Sequence, residues 1–226
     1  MLSRAEQGVP FKKGRKMEHR HRTKSFQARA AALALGLAWA LTAGLGASGP
    51  ARAAPESYVL DREHFAIAFM VSHLGLADTV GLFRKASGSF TFDDETGALS
   101  DVVVTVQTDS VFTNHEKRDA HLRGPDFLNV AEYPTMTFTA EDAVQTGERR
   151  AKLKGKLTLL GTTRPLTLDV TYNGARDYPF GDGHRAIGIS ARGHFKRSDF
   201  GMRYQVEDDL VGDRIELIIE FEGKPR

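Results

Sequence analysis

Apolar and polar residues alternate with a period of two along most of the chain after residue 54. In residues 152–159, Leu153, Leu157 and Leu159 alternate with lysines and a threonine. Successive side chains of a strand point to opposite faces, so this pattern indicates a strand with one buried face. Residues 64–71 differ, because both alternating sets are apolar there. Eight such runs are predicted as strands: 64–71, 83–92, 102–107, 135–140, 152–159, 166–172, 187–193 and 214–221.

The order of these runs predicts an all-β fold, an antiparallel eight-stranded lipocalin-like barrel. Strands do not alternate regularly with helices, which argues against a parallel sheet. Closure into a barrel removes the exposed edges that an open sheet would leave. A barrel of eight strands is either filled by its own side chains or holds one small ligand. Small residues on the inward face would leave room for a lumen, but the sequence does not show which face they occupy. These residues are Ala66, Ala68, Gly155, Ala191 and Gly193.

Residues 113–138 interrupt the strand pattern. Thr113-x-x-Glu116 matches a capping box, in which the two side chains bond to amides at a helix start. Pro125 fits the first turn of a second short helix. The period-two pattern resumes at Thr135. We therefore predict a short helical insert at the mouth of the barrel.

The charged residues of this insert allow two interpretations. Asp119 and Arg123 are spaced i, i+4, so an ion pair between them would fix the insert onto the barrel. Alternatively, Arg118 and its neighbours form a polar rim that faces the head group of an amphipathic ligand, since the planar guanidinium suits phosphate. Residues 197–201 are interpreted as an architectural corner, because Gly201 allows a backbone conformation that other residues avoid.

Residues 1–53 are predicted to be a cleaved secretion signal, and residues 54–226 one barrel domain. A basic region precedes an apolar run at 30–45, and Ala51 and Ala53 supply the small residues that a signal peptidase needs. The long basic region makes Met17 an alternative start. Residues 1–53 hold 10 of the 31 basic and 2 of the 29 acidic residues, which leaves 21 and 27 and a charge of −6 for residues 54–226. This acidic balance argues against nucleic-acid binding.

The candidate chemistry is sparse. The chain contains no cysteine, which excludes disulfides and thiolate metal sites. His115, Asp119 and His121 are close in sequence, but they lack an HExxH or paired-histidine spacing, so we assign no metal and no cofactor. His64 and His73 are expected to be buried polar anchors. No nucleophile motif is present, and no catalytic residue is assigned.

Five motifs, which follow one another along the chain in the order typical of one protein family, carry a family resemblance. They are residues 118–138 (RDAHLRGPDFLNVAEYPTMTF), Tyr58-x-Leu60-Asp61-x-x-His64, Phe69-x-Val71-x-His73, Gly155-x-Leu157-Thr158-Leu159-x-Gly161 and residues 197–202 (RSDFGM). Together they resemble the YceI-like, polyisoprenoid-binding periplasmic proteins from about residue 58 to residue 222. The resemblance implies a periplasmic barrel that binds a long-chain isoprenoid lipid, a polyprenyl phosphate or an isoprenoid quinone, for carriage, storage or sequestration.

The resemblance and the barrel pattern together suggest which residues contact the ligand. The candidates are Phe65, Ile67, Phe69, His73, Phe90, Phe92, His121, Leu122, Phe127, Phe138 and Phe200. One alternative is an enzyme acting on such a lipid, with His64, His121 or Asp119 in acid–base roles. The other is an interaction module whose barrel is filled by its own side chains. The sequence excludes neither a homodimer nor transient contact with a membrane.

Overall fold

The structure is a computed structural model that describes residues 54–226, and the predicted secretion signal lies outside the described residues. The described residues form ten strands and one α-helix. The strands are β1 (Glu56–His73), β2 (Ala77–Phe83), β3 (Ala86–Asp93), β4 (Ala98–Gln107), β5 (Val111–Phe112), β6 (Thr135–Gly147), β7 (Arg150–Leu159), β8 (Thr162–Asp177), β9 (Arg185–Lys196) and β10 (Arg214–Pro225). The helix α1 spans Glu116–Arg123, and 3₁₀ helices span Thr108–Ser110 and Arg197–Phe200.

The strands close into an antiparallel barrel with eight positions in its wall. The order is β1, β3, β4, β6, β7, β8, β9 and β10, and β10 pairs again with β1 to close the ring. The predicted all-β, antiparallel eight-stranded barrel is therefore confirmed. Each of these eight strands therefore has a hydrogen-bonded neighbour on both sides, which an open sheet does not give its outermost strands.

β2 and β3 share one position in this wall. β2 pairs with the second half of β1, from Ile67 to His73, and β3 pairs with its beginning, from Glu56 to Val59. The sequence predicted a single strand over 83–92. The strand breaks because the amides of Arg84 and Lys85 bond instead to the backbone oxygen and the hydroxyl of Ser110 in the first 3₁₀ helix.

The buried core side chains point into the barrel from alternate positions of each strand. In β9, Ile187, Ile189 and Ala191 are buried, whereas Arg192 and His194 on the opposite face are exposed. β1 follows the same rule, since Ile67 and Phe69 are buried there. Among the described residues, no helix is long and apolar enough to cross a membrane.

The helical insert is present, but two of its predicted details are wrong. His115, not Thr113, is the N-cap of α1, and its Nδ1 accepts from the Arg118 amide at 3.2 Å. Thr113 cannot serve as the cap because its amide and hydroxyl both bond to Asp119 Oδ1. The predicted second helix at Pro125 is replaced by turns, in which the amides of Phe127 and Asn129 both bond to the Gly124 carbonyl.

Candidate ligand-binding site

A cavity of about 400 Å³ occupies the interior of the barrel. Its volume lies within the usual range for small-molecule sites. The cavity contradicts the alternative in which the barrel is filled by its own side chains. The walls are almost entirely apolar and include Leu60, Ile67, Phe69, Val71, Phe83, Phe90, Leu99, Val102, Val104, Val106, Phe127, Met136, Phe138, Leu153, Leu157, Leu166, Leu168, Val170, Ile189, Ala191, Leu217, Ile219 and Phe221.

Glycines behind aromatic rings shape this wall. An ideal Cβ on Gly81 would lie 2.1 Å from Phe69 Cζ, and one on Gly155 would lie 2.4 Å from Phe138 Cζ. Gly81 is also the strand partner of Phe69 across β1 and β2. A larger residue at either glycine would push the ring, so these glycines let the rings lie against the wall and keep the lumen open.

Aromatic side chains pack one end of the barrel. The Phe90 ring, which lines the cavity, stacks on the Tyr58 ring at 5.6 Å, and Tyr58 contacts the edge of Phe92. Phe92 in turn packs on Tyr172 at 4.8 Å. The Tyr172 hydroxyl donates to Asp94 Oδ1 at 2.8 Å, and burial together with this bond raises the pKa of Tyr172 to about 12. This end of the barrel is therefore a packed aromatic layer, in which the Tyr172 hydroxyl stays protonated at neutral pH.

The cavity reaches the surface at the other end. His73 and Tyr204 both line the cavity, and both are exposed to solvent. The His121 ring meets the rings of Phe127 and Tyr204 edge-on, with 5.0 Å between ring centroids in each pair. His121 Nε2 is also 2.8 Å from Asp126 Oδ2. These contacts form an aromatic mouth with a polar outer edge.

α1 is attached to the mouth by hydrogen bonds rather than by the predicted ion pair. Asp119 is buried and accepts from Thr113, so the predicted Asp119–Arg123 pair is wrong. Arg123 donates instead to the backbone oxygens of Asp109 and Val111, at 2.8 and 2.9 Å. The charged residues of α1 therefore hold the helix against β5 and the preceding 3₁₀ helix.

Arg118 is the cation that α1 presents to the cavity. Its side chain lines the cavity, and its Nε and Nη2 donate to the hydroxyl and carbonyl of Thr113, each at 2.7 Å. Within residues 54–226, Nη1 has no hydrogen-bond partner. Arg118 thus offers a fixed guanidinium with one free nitrogen at the polar edge of an apolar cavity.

Arg197 organises the opposite side of the mouth. Its side chain is 1% exposed and donates to four backbone oxygens, those of Met202, Tyr204, Val211 and Gly212, at 2.6–3.0 Å. Burial lowers the pKa of this guanidinium, and the nearby Asp213 opposes that effect. The bonds fold residues 201–213 into a fixed loop.

The corner predicted at residues 197–201 is present. Gly201 ends the second 3₁₀ helix with φ 89° in the left-handed region, as its position in the sequence indicated. Its amide donates to the Ser198 carbonyl at 3.0 Å. The chain therefore reverses direction here, immediately before the loop that Arg197 holds.

The predicted ligand contacts fall into two groups. Eight line the cavity: Ile67, Phe69, His73, Phe90, His121, Leu122, Phe127 and Phe138. Phe65 lies half-buried on the inward face of β1, Phe92 belongs to the packed aromatic layer, and Phe200 packs edge-on against Phe195 at the corner. These three do not line the cavity. Ligand contact by the other eight stays a prediction.

The sequence did not identify several residues of the site. The aliphatic wall residues of β7, β8 and β10 could have been predicted, because they occupy one set of alternating positions, as Leu157 and Leu217 do. Tyr204 lies in a loop without any periodic pattern, and its place at the mouth depends on the Arg197 bonds. Arg197 was interpreted only as part of the corner, although its side chain also lines the cavity.

The small residues divide between the two faces. Ala191 and Gly193 lie on the inward face of β9, and Gly155 lies on the inward face of β7. Ala66 and Ala68 lie on the outward face of β1, out of phase with the buried Ile67 and Phe69. Of these five residues, only Ala191 lines the cavity, and the side chains of Phe138 and Leu168 lie against Gly155 and Gly193.

The histidines do not gather into one site. His64 and His73 are exposed, so the prediction that they are buried anchors is wrong. His115 caps α1 and Asp119 is bonded to Thr113, whereas His121 pairs with Asp126. The residues named for the enzyme alternative, His64, His121 and Asp119, thus belong to three separate hydrogen-bonded groups.

Comparison with known proteins agrees with this architecture. The protein-family model of the YceI-like domain matches residues 58–223. Protein YceI of Escherichia coli O157:H7 is 40% identical over 168 residues, which cover 74% of this chain and 85% of that protein. The crystal structure of the Campylobacter jejuni YCEI protein is similar with a TM-score of 0.63 and 32% identity, over 69% of this chain and 90% of that one.

A more distant solved structure shares the fold alone. It is described as a polyisoprenoid binding domain from Saccharophagus degradans, and it is 14% identical to this chain with a TM-score of 0.54. The similarity covers 76% of this chain and 100% of that domain.

Proposed function

Because the chain belongs to the YceI-like domain family, we propose that its barrel binds a long-chain isoprenoid lipid, such as a polyprenyl phosphate or an isoprenoid quinone. The observation that carries this proposal is the apolar cavity of about 400 Å³, which reaches the surface beside polar side chains. The polyisoprenoid binding described for the Saccharophagus degradans domain supports the same class of ligand.

The tail occupies the lumen in this proposal. Apolar burial contributes about 0.8 kcal/mol per CH₂ group, so a branched hydrocarbon gains affinity from length without any polar contact. The walls suit such a tail because they combine aliphatic side chains from β7–β10 with phenylalanine rings from β1, β3 and β6. The packed layer around Tyr58 and Phe92 limits how far the tail extends.

The head group stays at the mouth. Arg118 Nη1 is free to donate to a phosphate or carbonyl oxygen, and the other guanidinium nitrogens hold its orientation. His121 stands on the same helix and also lines the cavity. This arrangement favours a ligand with an acceptor group on one end of an apolar chain.

Exposed apolar residues beside the mouth support loading from a lipid bilayer. Leu76 is 82% exposed, and Leu74 and Leu210 are also exposed. The Leu74 amide donates to the Leu210 carbonyl at 3.0 Å, so the β1–β2 turn and the loop after Arg197 form one surface. A tail that passes over this surface into the lumen avoids crossing water, which would be costly for its apolar length.

We place this activity in the periplasm, where the protein would carry, store or sequester the lipid. The secretion signal predicted in residues 1–53 supports that location. A closed barrel with a lipid inside shields the tail from water, which is the requirement for moving it through an aqueous compartment.

Lipid extraction from protein purified from its native source tests the proposal. Native mass spectrometry of the intact complex, followed by mass spectrometry of the extract, is expected to find one isoprenoid lipid per barrel. A folded protein that is empty, and that also takes up no added polyprenyl phosphate or quinone, would contradict the proposal.

A further inference from the structure

We propose that Asp61, His64 and Glu222 form a binding site for a divalent transition-metal ion, on the part of the barrel remote from the mouth. Each side chain offers one ligand atom, and these atoms all lie within 4.8 Å of one another. His64 precedes His73, the mouth residue of the same strand, by nine residues. It is independent of the lipid cavity in residues and in chemistry.

An irregularity in the pairing of β1 with β10 builds this site. Leu60 pairs with Gly223 and Phe65 pairs with Phe221, so four residues of β1 stand opposite Glu222 alone. Bulges of this kind aim side chains in directions that a regular strand cannot. Here the bulge brings Asp61 and His64, three positions apart, to the same side as Glu222.

The distances suit a small cation. His64 Nδ1 lies 2.9 Å from Asp61 Oδ2 and 3.9 Å from Glu222 Oε2. In a tetrahedral zinc site with bonds near 2.0–2.1 Å, ligand atoms are about 3.3 Å apart. These two separations lie on either side of this value, and the Asp61 and Glu222 oxygens lie within 4.8 Å of each other, so side-chain rotations can bring the three atoms to zinc-ligand positions.

Two of the three ligands are already oriented. Asp61 is buried, and its Oδ1 accepts from the Glu63 amide at 3.0 Å, which leaves Oδ2 to face His64. His64 Nε2 lies 3.4 Å from the Tyr178 hydroxyl. Histidines that bind metals through one ring nitrogen usually donate the other N–H to an oxygen, so Tyr178 has the role of the outer partner.

The chemistry of the set favours Zn²⁺ or a related ion. With the proton on Nε2, the Nδ1 lone pair of His64 faces two carboxylates, and a cation between them replaces repulsion with attraction. One imidazole and two carboxylates suit Zn²⁺ rather than soft Cu(I), which prefers sulfur ligands. The His64 and Glu222 side chains are 39% and 41% exposed, so an ion has an entry path and a water molecule has room as fourth ligand.

Zinc titration of the purified protein tests this site. The protein is prepared without a histidine tag and stripped with a chelator, and Zn²⁺ is added in a calorimeter. We expect one equivalent to bind, and we expect the affinity to fall at least about tenfold in His64→Asn and in Glu222→Gln. His194→Asn is the matched control, because His194 is exposed on the outer face of β9 and belongs to no part of the cluster.

Co²⁺ absorption gives a second measurement on the same variants. Co²⁺ at the site is expected to show visible bands that Zn²⁺ abolishes by displacement and that Glu222→Gln weakens. Because the Glu222 side chain is 41% exposed, we expect this variant to keep its fold even if His64→Asn does not. The proposal is overturned if Zn²⁺ affinity is unchanged in Glu222→Gln, or if His194→Asn loses as much affinity as the cluster variants.

Discussion

Replacing Ala191 with tryptophan is expected to block the lumen without unfolding the barrel. Ala191 is 4% exposed and lines the cavity. Its strand partners are Val170 on β8 and Ile219 on β10, and both also line the cavity. An indole at position 191 therefore enters the space that the tail would occupy. Gly193 is a poorer choice, because a Cβ there would lie 2.6 Å from Leu168 Cδ2.

The expected loss follows from the tail length that the indole excludes. If the ring displaces one five-carbon isoprene unit, the lost burial is about 4 kcal/mol at ~0.8 kcal/mol per CH₂. A loss of about 4 kcal/mol corresponds to a roughly 1,000-fold rise in Kd. Ala68→Trp is the matched control, since the same substitution on the outward face of β1 leaves the lumen unchanged.

Calorimetric titration with farnesyl phosphate measures the effect in the three proteins. Urea unfolding of each variant shows whether the barrel is retained. The reasoning is refuted if folded Ala191→Trp binds within about threefold of the unsubstituted protein, or if Ala68→Trp loses affinity to the same extent.

Three further predictions concern the mouth and the packed end. Arg118→Gln should weaken farnesyl phosphate binding about tenfold or more, because one charge-assisted hydrogen bond is lost, while farnesol binding measured in the same assay stays unchanged. Arg197→Met should destabilise the protein by about 3–5 kcal/mol in urea unfolding, because four backbone carbonyls lose the charged donor of a buried side chain; a loss below about 1 kcal/mol would contradict its organising role. The hydrogen bond from Tyr172 lowers the pKa of Asp94, and Arg185 lowers it further. The ionised Asp94 carboxylate therefore stabilises the fold near neutral pH, and this stabilisation is lost as the pH falls through the lowered pKa. The stability difference between the protein and Asp94→Asn should therefore shrink from near pH 7 to about pH 3, and a difference independent of pH would count against this.

The strands were predictable because a barrel wall imposes period two on its own sequence. Lys152 to Leu159 alternates as clearly in burial as in composition. Which face of β1 points into the barrel was not predictable, because apolar residues occupy both of its faces. Only closure with β10 places Phe69 inside and Ala68 outside. Where one face is polar, the sequence determines the register, and where neither is, the neighbouring strands do.

The site was predictable in its walls and less so at its mouth. Phe69 and Phe138 follow from alternation, but Phe92 and Phe200 occupy packed positions that alternation alone does not distinguish from lumen positions. Thr113 matched a helix cap, yet its hydroxyl bonds to Asp119, six residues later. Such pairings depend on how the insert packs against the barrel, and a short sequence pattern does not predict that packing.

The most direct test of an apolar lumen is the dependence of affinity on tail length. The purified protein is titrated with geranyl, farnesyl and geranylgeranyl phosphate, which share a head group and differ by one isoprene unit each. We predict that Kd falls with each added unit, by up to about 1,000-fold per unit at ~0.8 kcal/mol per CH₂, until the lumen is full and Kd becomes constant. The same Kd for all three phosphates, or no binding of any of them by folded protein, would contradict the account.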